Sequence, residues 1–92
     1  MILYMNILEE ANQLTHGDRV ADYSPPEENF AQIAAIASAI LKKPITPKEC
    51  VMIMLAVKLS REAYKHKRDN CCDIAGYAYC LSRIEGDEKN EV

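Results

Sequence analysis

Two stretches of the 92-residue chain carry more polar chemistry than a small domain needs for solubility. The first is HGDRVADYSPPEEN, residues 16–29. His16 and Arg19 can donate to a phosphate, Tyr23 offers a ring and a hydroxyl, and Asn29 can read the edge of a base. The segment runs into a helix start, whose free amides and positive dipole end also favour an anion. The competing structural reading is a solvated loop whose His and Asp side chains make local turn bonds. The second stretch pairs Lys58 and Arg61, one turn apart, with Asp69, Asp73 and Tyr77 at four-residue spacing. Lys58 and Arg61 suit phosphates, Asp69 and Asp73 suit orienting those cations or holding a metal, and Tyr77 suits a base or ribose. Here the structural reading is an inter-helix ladder of ion pairs that fixes the packing. Gly76 beside Tyr77 costs a helix about 1 kcal/mol against Ala, which points to the close approach of another helix or of a ligand.

These groups need elements to hold them, and the pattern predicts helices only. Leu3, Ile7, Ala11 and Leu14 give residues 1–15 an apolar face, closed by Gly17. Ser24-Pro25-Pro26-Glu27 reads as a capping box, with Ser24 as cap, Pro25 as first helical residue and Glu27 reaching back. Phe30, Ile33, Ala34, Ala37, Ile40 and Leu41 then repeat at helical spacing to about Lys42, and Pro44 stops the run. Thr46-Pro47-Lys48-Glu49 repeats the start signal. The helix it opens carries Met52, Leu55, Leu59 and Ala63 on one stripe, with Met52 and Met54 as packing residues. YKHKR, residues 64–68, is too polar for a core and marks a turn, with His66 on the surface. Asp69 or Asn70 caps a fourth helix whose inward residues are Ile74, Ala75, Ala78 and Leu81. Because the turn is short, the last two helices are antiparallel neighbours. The fold class is all-α, a compact bundle of three or four helices. Residues 1–85 form a single domain and residues 86–92 an acidic, disordered tail.

Composition removes several function classes. Charged residues are 27% and hydrophobic residues 49%, an ordinary globular balance. The formal charge of −3 argues against coating duplex nucleic acid. No apolar run approaches the roughly 20 residues that span a bilayer, and the first five residues lack the basic start and cleavage site of a signal peptide. No membrane partner and a cytoplasmic location are therefore expected. Cys50, Cys71, Cys72 and Cys80 include no C-x-x-C pair, and no H-x-x-x-H pair exists, so buried free thiols are expected rather than zinc or disulfides. No Gly-rich phosphate loop or serine elbow is present. Residues 51–57 are apolar nearly all round, so such a small bundle leaves apolar surface wet, and a homo-oligomer is expected.

LTHGDRVADYSPPEENFAQIA, then Lys58 and Arg61, then DNCCDIAGYA resembles a family of small phage and prophage proteins of uncharacterised function, over about residues 13–84. That family reads roughly HGDR, DYG and Asn-Phe, then Lys, Arg, Asp and Asp-Ile-x-Gly-Tyr. Ser24 stands where it often has Gly. More distantly, the pattern is similar to nucleotide-modification-associated domains of phages and to all-α nucleotide pyrophosphohydrolases of the MazG type. The latter resemblance implies a carboxylate cluster that holds magnesium over a triphosphate. Ala31 here occupies the third carboxylate position, Asp69 and Asp73 are four apart rather than three, and the third helix offers Lys58 and Arg61 in place of acids.

The expected function is binding or sequestering a small phosphorylated nucleotide without turnover, with no catalytic residue, no metal ligand and no cofactor. His16, Arg19, Tyr23, Asn29, Lys58, Arg61, Asp69, Asp73 and Tyr77 form the ligand set. The rival is a magnesium-dependent pyrophosphohydrolase using Glu27, Glu28, Asp69 and Asp73, and a third reading is a protein-interaction module.

Overall fold

The computed structural model describes residues 5–16 and 25–86, and every regular element among them is helical. α1 spans Ile7–His16, α2 Pro26–Leu41, α3 Pro47–Tyr64 and α4 Arg68–Glu85. The expected tail beyond Gly86 and the loop residues 17–24, with Arg19, Tyr23 and Ser24, lie outside the described residues, as does Leu3.

The helix starts follow local chemistry, with three corrections. Thr46 caps α3 as expected: its Oγ1 accepts from the Glu49 amide at 3.1 Å, and Glu49 Oε1 accepts from the Thr46 amide at 2.8 Å. Asn6 and Glu9 make the same reciprocal pair at 2.8 and 2.9 Å, so α1 starts at Ile7 rather than at the first residue. The start of α2 departs from the expected box. Pro25 is its cap, with no side-chain bond, and Pro26 its first helical residue. Glu27 turns its carboxylate to Arg83 of α4, because a cross-helix guanidinium offers two charged donors where the cap offers one amide. α4 is capped at Lys67, also without a side-chain bond. Asp69 and Asn70 are therefore already helical, which corrects the expected cap.

α2 ends on Lys42 in the left-handed conformation, φ 58°, and α4 on Gly86, φ 88°. Between α2 and α3, Ser38 Oγ accepts from the Ile45 amide at 2.9 Å and donates to the Ile45 carbonyl at 3.2 Å. α4 is the hub, in contact with all three other helices, whereas among the described helices α1 rests on α4 alone. Lys48 meets Glu85, Lys58 meets Asp73 and Glu62 meets Asn70, so α3 and α4 run antiparallel as expected.

The core is Phe30, Ala34, Cys50 and fully buried Val51, joined by Met54, Leu55, Tyr77, Leu81 and Ile84. That corrects the expected phase of α3. Met52, Leu59 and Ala63 are exposed, and the inward stripe is Val51, Leu55, Lys58 and Glu62. A helix apolar nearly all round has no phase of its own, so its neighbours choose the buried face. Ala78 of α4 is likewise exposed, while Cys72 and Asn70 are buried. Ile33, Ile36, Ile40, Met52 and Ile53 leave the outer faces of α2 and α3 apolar and open to solvent. All four cysteines are free as expected, but only Cys50 and Cys72 are buried; Cys71 and Cys80 are half-buried, which corrects the expectation of four buried thiols. No described helix is long and apolar enough to cross a membrane.

Candidate functional site

Two clefts meet at Asp73. One, of about 540 Å³, lies where α1, α2 and α4 converge, and it takes His16, Asn29, Asp73 and Tyr77 from the expected ligand set. The other, of about 620 Å³, opens along α3 and the start of α4, and it takes Lys58, Arg61, Asp69 and Asp73. The described members of the ligand set are thus divided between two clefts, with Asp73 as the shared wall. Arg19 and Tyr23 lie outside the described residues.

The first cleft has an aromatic and sulfur-lined floor. Phe30 of α2 meets Tyr77 of α4 edge to face, with ring centroids 6.5 Å apart. Burial raises the Tyr77 phenol above its ordinary range, so it stays a neutral hydroxyl at physiological pH. Burial likewise raises the thiols of Cys72 and Cys80, which also line this cleft. Gly76 faces the same space. A Cβ there would stand 3.9 Å from Thr15 Cγ2 of α1, an ordinary contact, so among the described residues no helix presses tightly against this glycine.

The rim of this cleft is polar. His16 Nδ1 lies 2.9 Å from Thr15 Oγ1, and its ring sits 4.5 Å from that of Tyr79. Arg83 is a lining residue that the sequence reading missed. Its Nε and Nη2 both donate to Glu27 Oε2, at 3.0 and 2.7 Å, and its Nη1 donates to the Tyr79 hydroxyl at 2.8 Å. The Glu27 carboxyl is held below its ordinary range, first by its own amide in the first turn of α2 and then, against the cost of burial, by Arg83. Cys72, Gly76, Cys80 and Arg83 recur at helical spacing, a stripe that could have revealed Arg83.

The second cleft is basic. Lys58 Nζ stands 2.8 Å from Asp73 Oδ2, one rung of the ion-pair ladder weighed from sequence. Among the described residues Arg61 and Asp69 form no ion pair, so the ladder stops there. Lys65 and Lys67 join Lys58 and Arg61 in this lining, so among the described residues four cations stand against Asp69 and Asp73. The acids of the pyrophosphohydrolase rival are dispersed: Glu27 goes to Arg83 and Asp73 to Lys58, while Glu28 and Asp69 face solvent.

Comparison with known proteins adds a family and no chemistry. The family described as a domain of unknown function (DUF6378) matches residues 6–85. The Gene 55 protein of Mycobacterium phage D29 is 41% identical over 80 residues, covering 86% of this chain and 53% of its own. The Gene 55 protein of Mycobacterium phage L5 is 31% identical over 83 residues, covering 88% and 53%. The chain spans about half the length of the curated relatives it matches. No solved structure matches it significantly.

Proposed function

The chain belongs to the DUF6378 family, and from the geometry of its clefts we propose that it binds a small phosphorylated nucleotide without turning it over. The observation that carries this reading is the junction at Asp73 of an aromatic cleft with a basic one. A nucleotide has the same two halves. Its base would lie on Tyr77 and Phe30 with Asn29 at its edge, and its phosphates would reach Arg61, Lys65 and Lys67. Lys58 already has a carboxylate partner, so it would act by holding Asp73 in place. Gly76 supports the reading too: among the described residues nothing crowds it more tightly than an ordinary contact with Thr15, and its bare backbone leaves room for a ligand. The dispersal of Glu27, Glu28, Asp69 and Asp73 favours binding over magnesium-dependent cleavage. With relatives in two mycobacteriophages, the biological form of this reading is sequestration of a nucleotide signal or metabolite in the cytoplasm of an infected host. Exposed Ile33, Ile36, Ile40, Met52 and Ile53 support self-association as part of the same proposal.

The test is a nucleotide panel incubated with the purified chain, with and without magnesium, followed by denaturation and recovery of the small molecules. Intact nucleotide retained by the protein, and lost in Arg61→Ala at unchanged helicity, supports the binder. Magnesium-dependent release of monophosphate and pyrophosphate would establish the pyrophosphohydrolase instead. If no nucleotide raises the melting temperature, both give way to a protein-interaction module.

A further inference from the structure

The turn between α3 and α4 gathers three side chains that the nucleotide reading does not use. Glu62 comes from the last turn of α3, His66 from the connection and Cys71 from the first turn of α4. One ligating atom from each lies within 4.8 Å of the other two. The Glu62 carboxylate is already oriented. Its Oε1 accepts from the Lys67 amide and from Asn70 Nδ2, both at 3.1 Å, and Asn70 is itself buried at 5% exposure. That leaves Oε2 to face His66 Nδ1, 2.5 Å away.

We propose that Glu62, His66 and Cys71 form a binding site for a zinc-like divalent transition metal. One carboxylate, one imidazole and one thiolate are a borderline-soft donor set, suited to zinc or cobalt rather than to magnesium or calcium, which take oxygen ligands. The two anionic donors balance a 2+ ion. Donors at 2.0–2.1 Å around a tetrahedral ion stand roughly 3.3 Å apart, so metal entry needs His66 to withdraw from Glu62 by about 1 Å. His66 can do so, because its side chain is 69% exposed on a turn. Binding displaces the Cys71 thiol proton and any proton on His66 Nδ1, and the fourth position is left for water or an external ligand. The bonds to Lys67 and Asn70 fill the orienting role that outer partners of metal ligands play. The site would clamp the end of α3 to the start of α4, the pair of helices that carries the basic cleft. Neither C-x-x-C nor H-x-x-x-H spacing describes it, since its ligands come from two helices and their connection.

The experiment titrates the untagged full chain with cobalt(II), then with zinc(II). The expected result is a thiolate-to-cobalt charge-transfer absorption that saturates at one equivalent and is abolished by zinc. Cys71→Ser should lose that absorption although Cys50, Cys72 and Cys80 remain. His66→Ala, a change on an exposed turn, should weaken cobalt binding more than ~10-fold at unchanged helicity, since loss of an outer partner alone costs 10–100-fold. No charge-transfer absorption in the parent chain, or one that survives Cys71→Ser, overturns the proposal. These residues are separate from those of the nucleotide test, so either reading can fail without the other.

Discussion

The pair Lys58–Asp73 decides how much of the basic cleft is architecture, and its energetics can be worked from the structure. The Lys58 side chain is 15% exposed and that of Asp73 33%, with a charge separation of 2.8 Å. At that distance the attraction is about 1.5 kcal/mol at the dielectric of water and about 6 kcal/mol at an effective value of 20. Desolvation of the ammonium and loss of side-chain entropy oppose it, which leaves a net coupling of about 1–1.5 kcal/mol, above the range of exposed pairs. The two single substitutions should differ in cost. Lys58→Met leaves a carboxylate that water can still reach and should cost about 1 kcal/mol. Asp73→Ala strands a better-buried ammonium and should cost about 2 kcal/mol, a melting-temperature drop of roughly 10 °C for a domain of this size. The assay is urea unfolding followed by helical circular dichroism for the parent, both single variants and the double variant. The double should destabilise by no more than Asp73→Ala alone, and moderate salt should change little, since the pair is partly shielded. Additivity within about 0.3 kcal/mol, or a larger loss for Lys58→Met than for Asp73→Ala, would refute the reasoning. Lys58 would then be free to bind phosphate directly.

Two further substitutions probe the aromatic cleft. Gly76→Ala places a methyl 3.9 Å from Thr15 Cγ2, so α4 should gain up to about 1 kcal/mol, while nucleotide retention falls; a loss of stability would mean the glycine is there for packing. The Glu27 carboxyl titrates below its unfolded value, so its contribution is present above the ordinary glutamate range, roughly 4.3, and is lost as pH falls through the lower folded value. Glu27→Gln should accordingly flatten the acid limb of the stability–pH curve, and a curve that keeps the same slope in the variant would remove Glu27 from that account.

The boundaries of this fold were legible wherever a signal was local. Thr46, Pro47 and Glu49 start α3 because the cap bonds close within three residues, and the polar run 64–68 holds the turn that brings α4 back along α3. The same spacing argument paired the cationic side of α3 with the acidic side of α4, and Lys58 does meet Asp73. Within the ligand set, the spacing that placed Asp73 and Tyr77 on one side of α4 put both into the first cleft. The resemblance to phage proteins of uncharacterised function was likewise readable from the chain alone, as the family match over residues 6–85 and the two mycobacteriophage relatives bear out.

What only the tertiary structure decided are the choices among equally good local options. Residues 51–57 are apolar on every side, so the buried stripe of α3 follows Val51 and Leu55 rather than Met52 and Leu59 only because α2 and α4 meet it there. Glu27 could cap its own helix or pair with Arg83, 56 residues away, and burial beside a doubly donating guanidinium won. Lys58 and Arg61 are one turn apart, yet of the two only Lys58 pairs with an acid of α4 among the described residues, and the described ligand set divides at Asp73. Glu62, His66 and Cys71 share no sequence period, and converge because the chain reverses between them. Helical periodicity and capping depend on neighbours within a turn or so along the chain. Facing, pairing and convergence depend on which distant surfaces exclude water together, and that is settled only when the helices are assembled.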